Sequence, residues 1–186
     1  MKTTILRYIM LATILTTGSE ILAGQSIEEP VQAVVAQMLT EREKTLAVAE
    51  SCTGGRIASL FTAMPGASAY FLCGVVSYSN SAKMDILGVE ATALEQYGAV
   101  SQQVAEEMAQ GVLDISDADY AIATTGIAGP TGGTPEKPVG TVWIAVASRE
   151  GVVARKMQFG TQRAQNIEQA SFAAINQLRL LLLDLD

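Results

Sequence analysis

Residues 46–60 read LAVAESCTGGRIASL. Thr45 to Ala49 is a short β-prone run, Gly54-Gly55 supplies a turn, and Arg56 to Met64 has helical spacing until Pro65-Gly66 ends it. Strand, tight glycine turn and helix together make the unit from which α/β domains are assembled. Such a turn leaves unpaired N–H groups at the helix start, where an anion or a developing oxyanion is stabilised. Gly54 and Gly55 carry no Cβ, so a ligand can approach the backbone closely. Ser51 lies where its hydroxyl would project over those amides in the manner of a nucleophile elbow, although the G-x-S-x-G pattern is absent. Ser51 and Thr53 are equally suited simply to cap the helix. By strand alternation Cys52 points the opposite way, as a small buried hydrophobe.

Working outward, Ser26 with Glu29 reads as a capping box, with Pro30 in the first turn of a helix reaching about residue 42. Tyr70 to Tyr78 (YFLCGVVSY) is a nearly all-apolar strand, as expected of a sheet covered on both faces. Ser79 to Lys83 follows as loop or first helical turn. Ala91 to Tyr97 is a short helix closed by Gly98, and Ser101 caps another whose Val104, Met108 and Val112 share one face. Tyr120 to Thr125 is a third strand. Thr141 to Ala147 and Val152 to Phe159 form a hairpin, and Thr161 precedes a long helix with Ile167, Ala170, Ala174, Leu178 and Leu181 along its stripe. The alternation predicts an α/β fold: a three-layer α/β/α sandwich around a mixed central sheet with one antiparallel edge.

At 186 residues the chain suits one domain. The first fifteen residues imitate a signal peptide, but Arg7 and Tyr8 interrupt the apolar run and nothing nearby reaches the roughly 18 apolar residues of a membrane span. Residues 1–25 read better as an N-terminal extension, and 26–186 as the domain. A formal charge of −7 with only 12 Lys and Arg argues against a nucleic-acid binder. Two cysteines, Cys52 and Cys73, without Cys-x-x-Cys spacing make neither a disulfide framework nor a metal site, which fits a reduced, cytoplasmic chain. The chain has no histidine. That removes imidazole-based catalysis and the usual zinc sites, so a hydrolytic nucleophile would need a lysine, a carboxylate or local electrostatics. No cofactor or metal is expected.

The loop 126–140, GIAGPTGGTPEKPVG, lacks the P-loop pattern but suits a backbone-lined pocket wall. It would share an edge with the Ser51 turn if the two preceding strands are parallel. Arg163 sits at the start of the long helix, where a cation is disfavoured by about 0.3–1 kcal/mol unless it faces a carboxylate or phosphate.

At AESCTGG (49–55), GVVSYSNSAK (74–83), GVLDISDADYAIATTGIAGPTGG (111–133) and KPVGTVW (137–143) the chain closely resembles the C-terminal domain family of the competence/damage-inducible protein CinA, over about residues 26–183. The resemblance implies a three-layer α/β domain, a homodimer, and metal-independent hydrolysis of the amide of nicotinamide mononucleotide, a pyridine nucleotide. It implies Ser51 as nucleophile, Lys83 as its partner, Tyr78 and Thr125 as further catalytic groups, and Arg163 as a contact to the substrate phosphate. Thr53, Gly54, Gly55 and Gly126 belong to the same motifs and are expected to line the substrate. Residues 13–24, TILTTGSEILAG, look like the opening of the other domain of full-length CinA proteins; its activity, cleavage of ADP-ribose, does not carry over.

With no imidazole available, a neutral Lys83 is the general base the resemblance requires, provided desolvation or a nearby cation depresses its pKa. Tyr78 would relay the proton or orient the lysine, and Thr125 would help hold the oxyanion. The alternative is a noncatalytic nucleotide-binding or regulatory module using the same glycine turns and Arg163. The distance between Ser51 and Lys83 separates the two readings.

Overall fold

The computed structural model describes residues 29–184, so the segment 1–25 and the Ser26 half of the capping box lie outside the described residues. In chain order the elements are α1 (Val31–Glu41), β1 (Leu46–Glu50), α2 (Arg56–Thr62), a single 3-10 turn (Ala67–Ala69), β2 (Phe71–Val76), α3 (Asn80–Leu87), α4 (Ala91–Tyr97), α5 (Gln102–Ser116), β3 (Tyr120–Gly126), β4 (Thr141–Ser148), β5 (Gly151–Gln158) and α6 (Arg163–Leu182). Pro30 stands just before the first helical residue rather than inside the first turn. Its fixed φ suits that entry position as well as the one inside.

The sheet order is β2-β1-β3-β4-β5. β1 runs parallel to both β2 and β3, while β4 is antiparallel to both β3 and β5, so the sheet is mixed as expected. Strand alternation sorts the side chains into two layers. On one face Leu46, Val48, Ile122, Ile144 and Val146 pack with residues of α1, α2 and α6, including Ala170, Ala174 and Leu178 of the predicted stripe. On the other face the sheet presents Ala47, Ala49, Ala121, Ala123, Ala145 and Ala147. A floor of methyl groups lets α5 lie close to the sheet, and its Val104, Met108 and Val112 are fully buried there. Each such side chain contributes roughly 1.5–3 kcal/mol by leaving water.

β2 departs from the expectation of a strand covered on both faces. It is an edge strand whose residues alternate between half-buried and exposed, and Leu72 and Val76 are each 49% exposed. Continuous apolar sequence reports burial on two faces only for an interior strand. At an edge the missing neighbour leaves one row of side chains open, whatever their hydrophobicity.

Because β1 lies between β2 and β3, the connection through α2 leaves β1 on one face and the connection through α3, α4 and α5 returns on the other. The carboxyl ends of β1 and β3 therefore flank a crevice where the winding reverses, the usual location of ligands in such sheets.

Candidate active site

Ser51 follows the last residue of β1, and its N–H donates to Thr124 O of β3 at 3.0 Å, which ties the serine turn to the neighbouring strand. On the other side of β1, Ser77 follows β2 and donates its N–H to Glu50 O at 2.9 Å. Ser79 then caps α3 by accepting from Ala82 N–H at 3.1 Å. The segment left open as loop or helix is thus a helix from Asn80, and it carries Lys83 one turn in.

Lys83 is 1% exposed. Its Nζ donates to Ser77 O at 2.7 Å and lies 3.1 Å from Ser51 Oγ. Burial lowers the Lys83 pKa from its ordinary value, opposed only by the nearby Cys52 thiol. No carboxylate forms an ion pair with it among the described residues. A buried amine without a counterion favours the neutral form. As a neutral amine it can keep its bond to Ser77 O and turn its lone pair to the Ser51 hydroxyl.

Glu50 went unnoticed in the sequence, yet it shapes the turn. It is fully buried, and its carboxylate accepts from Gly55 N–H at 3.0 Å, Ile57 N–H at 3.1 Å and Ala58 N–H at 2.8 Å. Gly55 precedes α2 with φ +95°, a conformation that favours glycine, and no side chain at that position caps the helix. The chain's own carboxylate therefore occupies the anion site that the glycine turn offers. A lone acid ending an apolar strand just before a glycine turn was the available signal.

A cavity of about 280 Å³ opens beside the pair. Ser51, Lys83, Tyr78, Thr125, Gly126 and Arg163 all line it, together with Cys52 and two polar residues that sequence reasoning did not single out, Asn80 and Thr131. Gly126 ends β3 where a Cβ would meet Thr141 O at 2.7 Å, so no larger residue fits without movement. Arg163 donates to Gly129 O at 3.0 Å and to the Tyr78 hydroxyl at 2.9 Å. Neither group is an anion, and the guanidinium retains further N–H groups for one. Tyr78 is bonded to Arg163 and not to Lys83, and it is 61% exposed, which aligns it with the cavity mouth rather than with the dyad. Thr125 donates its hydroxyl proton to Ala99 O at 2.7 Å, leaving only lone pairs for a ligand.

Thr53, Gly54 and Gly55 do not line this cavity. Thr53 Oγ1 pairs with Thr124 Oγ1 at 2.7 Å, Gly54 N–H donates to Ser51 O, and Gly55 N–H belongs to Glu50. Cys52 packs in the core as expected while also contributing to the cavity wall, and burial pushes its thiol up to about 12. Among the described residues no group of His, Cys, Asp and Glu gathers to hold a metal ion, and no helix is long and apolar enough to cross a membrane.

Fold and site together define an α/β domain with a buried serine–lysine pair at the carboxyl ends of its parallel strands. The chain belongs to the CinA family, whose C-terminal domain matches residues 28–182. It is 50% identical over 166 residues to a CinA-like protein of Geotalea daltonii, covering 89% of this chain and 40% of that one. Likewise it is 50% identical over 151 residues to a CinA-like protein of Chlorobium limicola, covering 78% of this chain and 35% of that one. The chain thus spans about two fifths or less of the length of these curated relatives. Among solved structures, the competence/damage inducible protein CihA from Agrobacterium tumefaciens superposes with a TM-score of 0.79 at 41% identity, covering 87% of this chain and 99% of that one. A CinA superfamily protein from Klebsiella pneumoniae gives 0.80 at 37% identity, covering 83% and 96%.

Proposed function

We propose that this domain hydrolyses the carboxamide of nicotinamide mononucleotide, releasing ammonia and nicotinate mononucleotide, with Ser51 as nucleophile and Lys83 as general base. The observation that carries the reading is the 3.1 Å contact between Lys83 Nζ and Ser51 Oγ in a buried setting that depresses the lysine pKa. A binding module has no need of a desolvated amine aimed at a hydroxyl.

Neutral Lys83 takes the Ser51 proton as Oγ attacks the carboxamide carbon, giving a tetrahedral oxyanion. The backbone amide of Cys52, which follows the nucleophile, lines the cavity and donates to no backbone carbonyl among the described residues, would receive that charge. Lys83, now an ammonium, returns its proton to the departing nitrogen, and the C–N bond breaks to release ammonia. A water, deprotonated by the same amine, then splits the acyl ester and restores Ser51. Thr125, with its proton committed to Ala99 O, would accept from the carboxamide NH₂ and orient it. Arg163 would hold the phosphate from the mouth of the cavity, with Tyr78 keeping the guanidinium in place.

Incubating the purified chain with nicotinamide mononucleotide should release ammonia and nicotinate mononucleotide in equal amounts. Absence of either product overturns the assignment of substrate.

A further inference from the structure

A second groove of about 530 Å³, larger than the catalytic cavity, lies beside it and shares Val100 as a common wall. It contains Trp143, the chain's sole tryptophan, half-buried on β4. Trp143 is directly opposite Lys156 of β5 on one side and Thr125 of β3 on the other. Residues opposite each other in a ladder share a face, so the indole and the lysine stem lie side by side. Lys156 is exposed and makes no ion pair or hydrogen bond among the described residues. Across the groove Lys137 is half-buried, its Nζ fixed at 2.7 Å from Tyr97 O, and the exposed Tyr97 ring forms part of the rim. Glu136 also lines the groove, so two cations face one carboxylate for a local charge of +1, on a chain whose formal charge is −7.

We propose that this groove is a binding site for a mononucleotide, distinct from the Ser51 cavity, with the base against Trp143 and the phosphate drawn to Lys156 and Lys137. An indole face rewards a planar ring, and an ammonium without a counterion rewards an anion. A ligand carrying both groups gains from both, whereas either group alone gains from one. The site needs no catalytic step and does not depend on the amidohydrolase reading.

Trp143 reports its own occupancy. Adding adenosine monophosphate to the chain should change tryptophan fluorescence saturably, with adenosine and inorganic phosphate each weaker. Lys156→Gln, at an exposed position that leaves the fold intact, should weaken the apparent affinity about tenfold or more, the worth of one charge-assisted contact. Ser51→Ala and Arg163→Gln should leave the response unchanged. No saturable change at millimolar nucleotide overturns the proposal, as does a Lys156→Gln chain that responds like the parent. A response lost in Arg163→Gln but kept in Lys156→Gln places the nucleotide in the catalytic cavity and also overturns it.

Discussion

Replacing Glu50 by glutamine keeps the shape of the side chain and removes one acceptor from a site that needs every one. Its Oε2 accepts from Gly55 and Ile57 and its Oε1 from Ala58, at 2.8–3.1 Å, all in or beside a buried turn. In the better of the two amide orientations the carbonyl oxygen stays on Gly55 and Ile57, and the NH₂ then confronts the Ala58 N–H donor to donor. One partly buried amide is left unsatisfied and the negative charge at the start of α2 is gone, together costing about 2–4 kcal/mol. For a chain of this size that is a fall in Tm of about 4–16 °C. Urea denaturation followed by Trp143 fluorescence measures it, and Glu50→Ala should cost more because all three amides lose their acceptor. A Glu50→Gln chain within about 0.5 kcal/mol of the parent, the range of an ordinary surface change, would refute the view that this carboxylate holds the turn.

Lys83→Met should separate stability from chemistry. Turnover should fall about 10²–10⁴-fold with the loss of the general base, while stability at neutral pH rises by on the order of 1 kcal/mol as the desolvated amine disappears. Since the folded-state pKa of Lys83 lies below its ordinary 10.5, the unfolded chain holds the extra proton between those two values, so this group makes stability rise with pH across that window. A denaturation series over pH should lose that slope in Lys83→Met, and the parent's kcat/KM should rise with pH as the amine deprotonates. Asp119 behaves oppositely. Burial raises its pKa, but bonds from Lys44 and Thr45 outweigh that and hold it below 3.8. Its contribution is complete above 3.8 and lost as pH falls through the depressed value, so Asp119→Asn should flatten that part of the acid denaturation curve, followed by circular dichroism. Cys52, its thiol pushed up to about 12 by burial, should resist Ellman's reagent at pH 8 in the folded chain and react on unfolding; rapid labelling of Cys52 in the native state would contradict its packing.

The glycine turn made the layer order legible, because strand, turn and helix at 46–60 demanded parallel neighbours and helices on both faces. The hairpin and the Ser101 cap followed from local chemistry in the same way. The edge position of β2 was not legible, since apolar content does not say how many neighbours a strand has. Ser51 stood out from its glycine turn, while its pairing with Lys83 came from resemblance, and only tertiary structure brings side chains 32 positions apart to 3.1 Å. The glycine amides read as a ligand cradle because an unpaired helix start looks the same in sequence whether a substrate or an internal carboxylate fills it. Glu50 fills it here. Tyr78 and Thr125 reach the cavity, but their partners, Arg163 and Ala99, are set by loops whose paths no periodicity encodes.

The central claim is that the Ser51 hydroxyl makes the attack. Ammonia release from nicotinamide mononucleotide by Ser51→Ala, set beside the folded parent chain, tests it most directly. A fall of about 10⁴-fold or more in kcat with KM little changed is the predicted result. A Ser51→Ala chain that releases ammonia within about tenfold of the parent rate would contradict it, because the reaction would then proceed without the nucleophile.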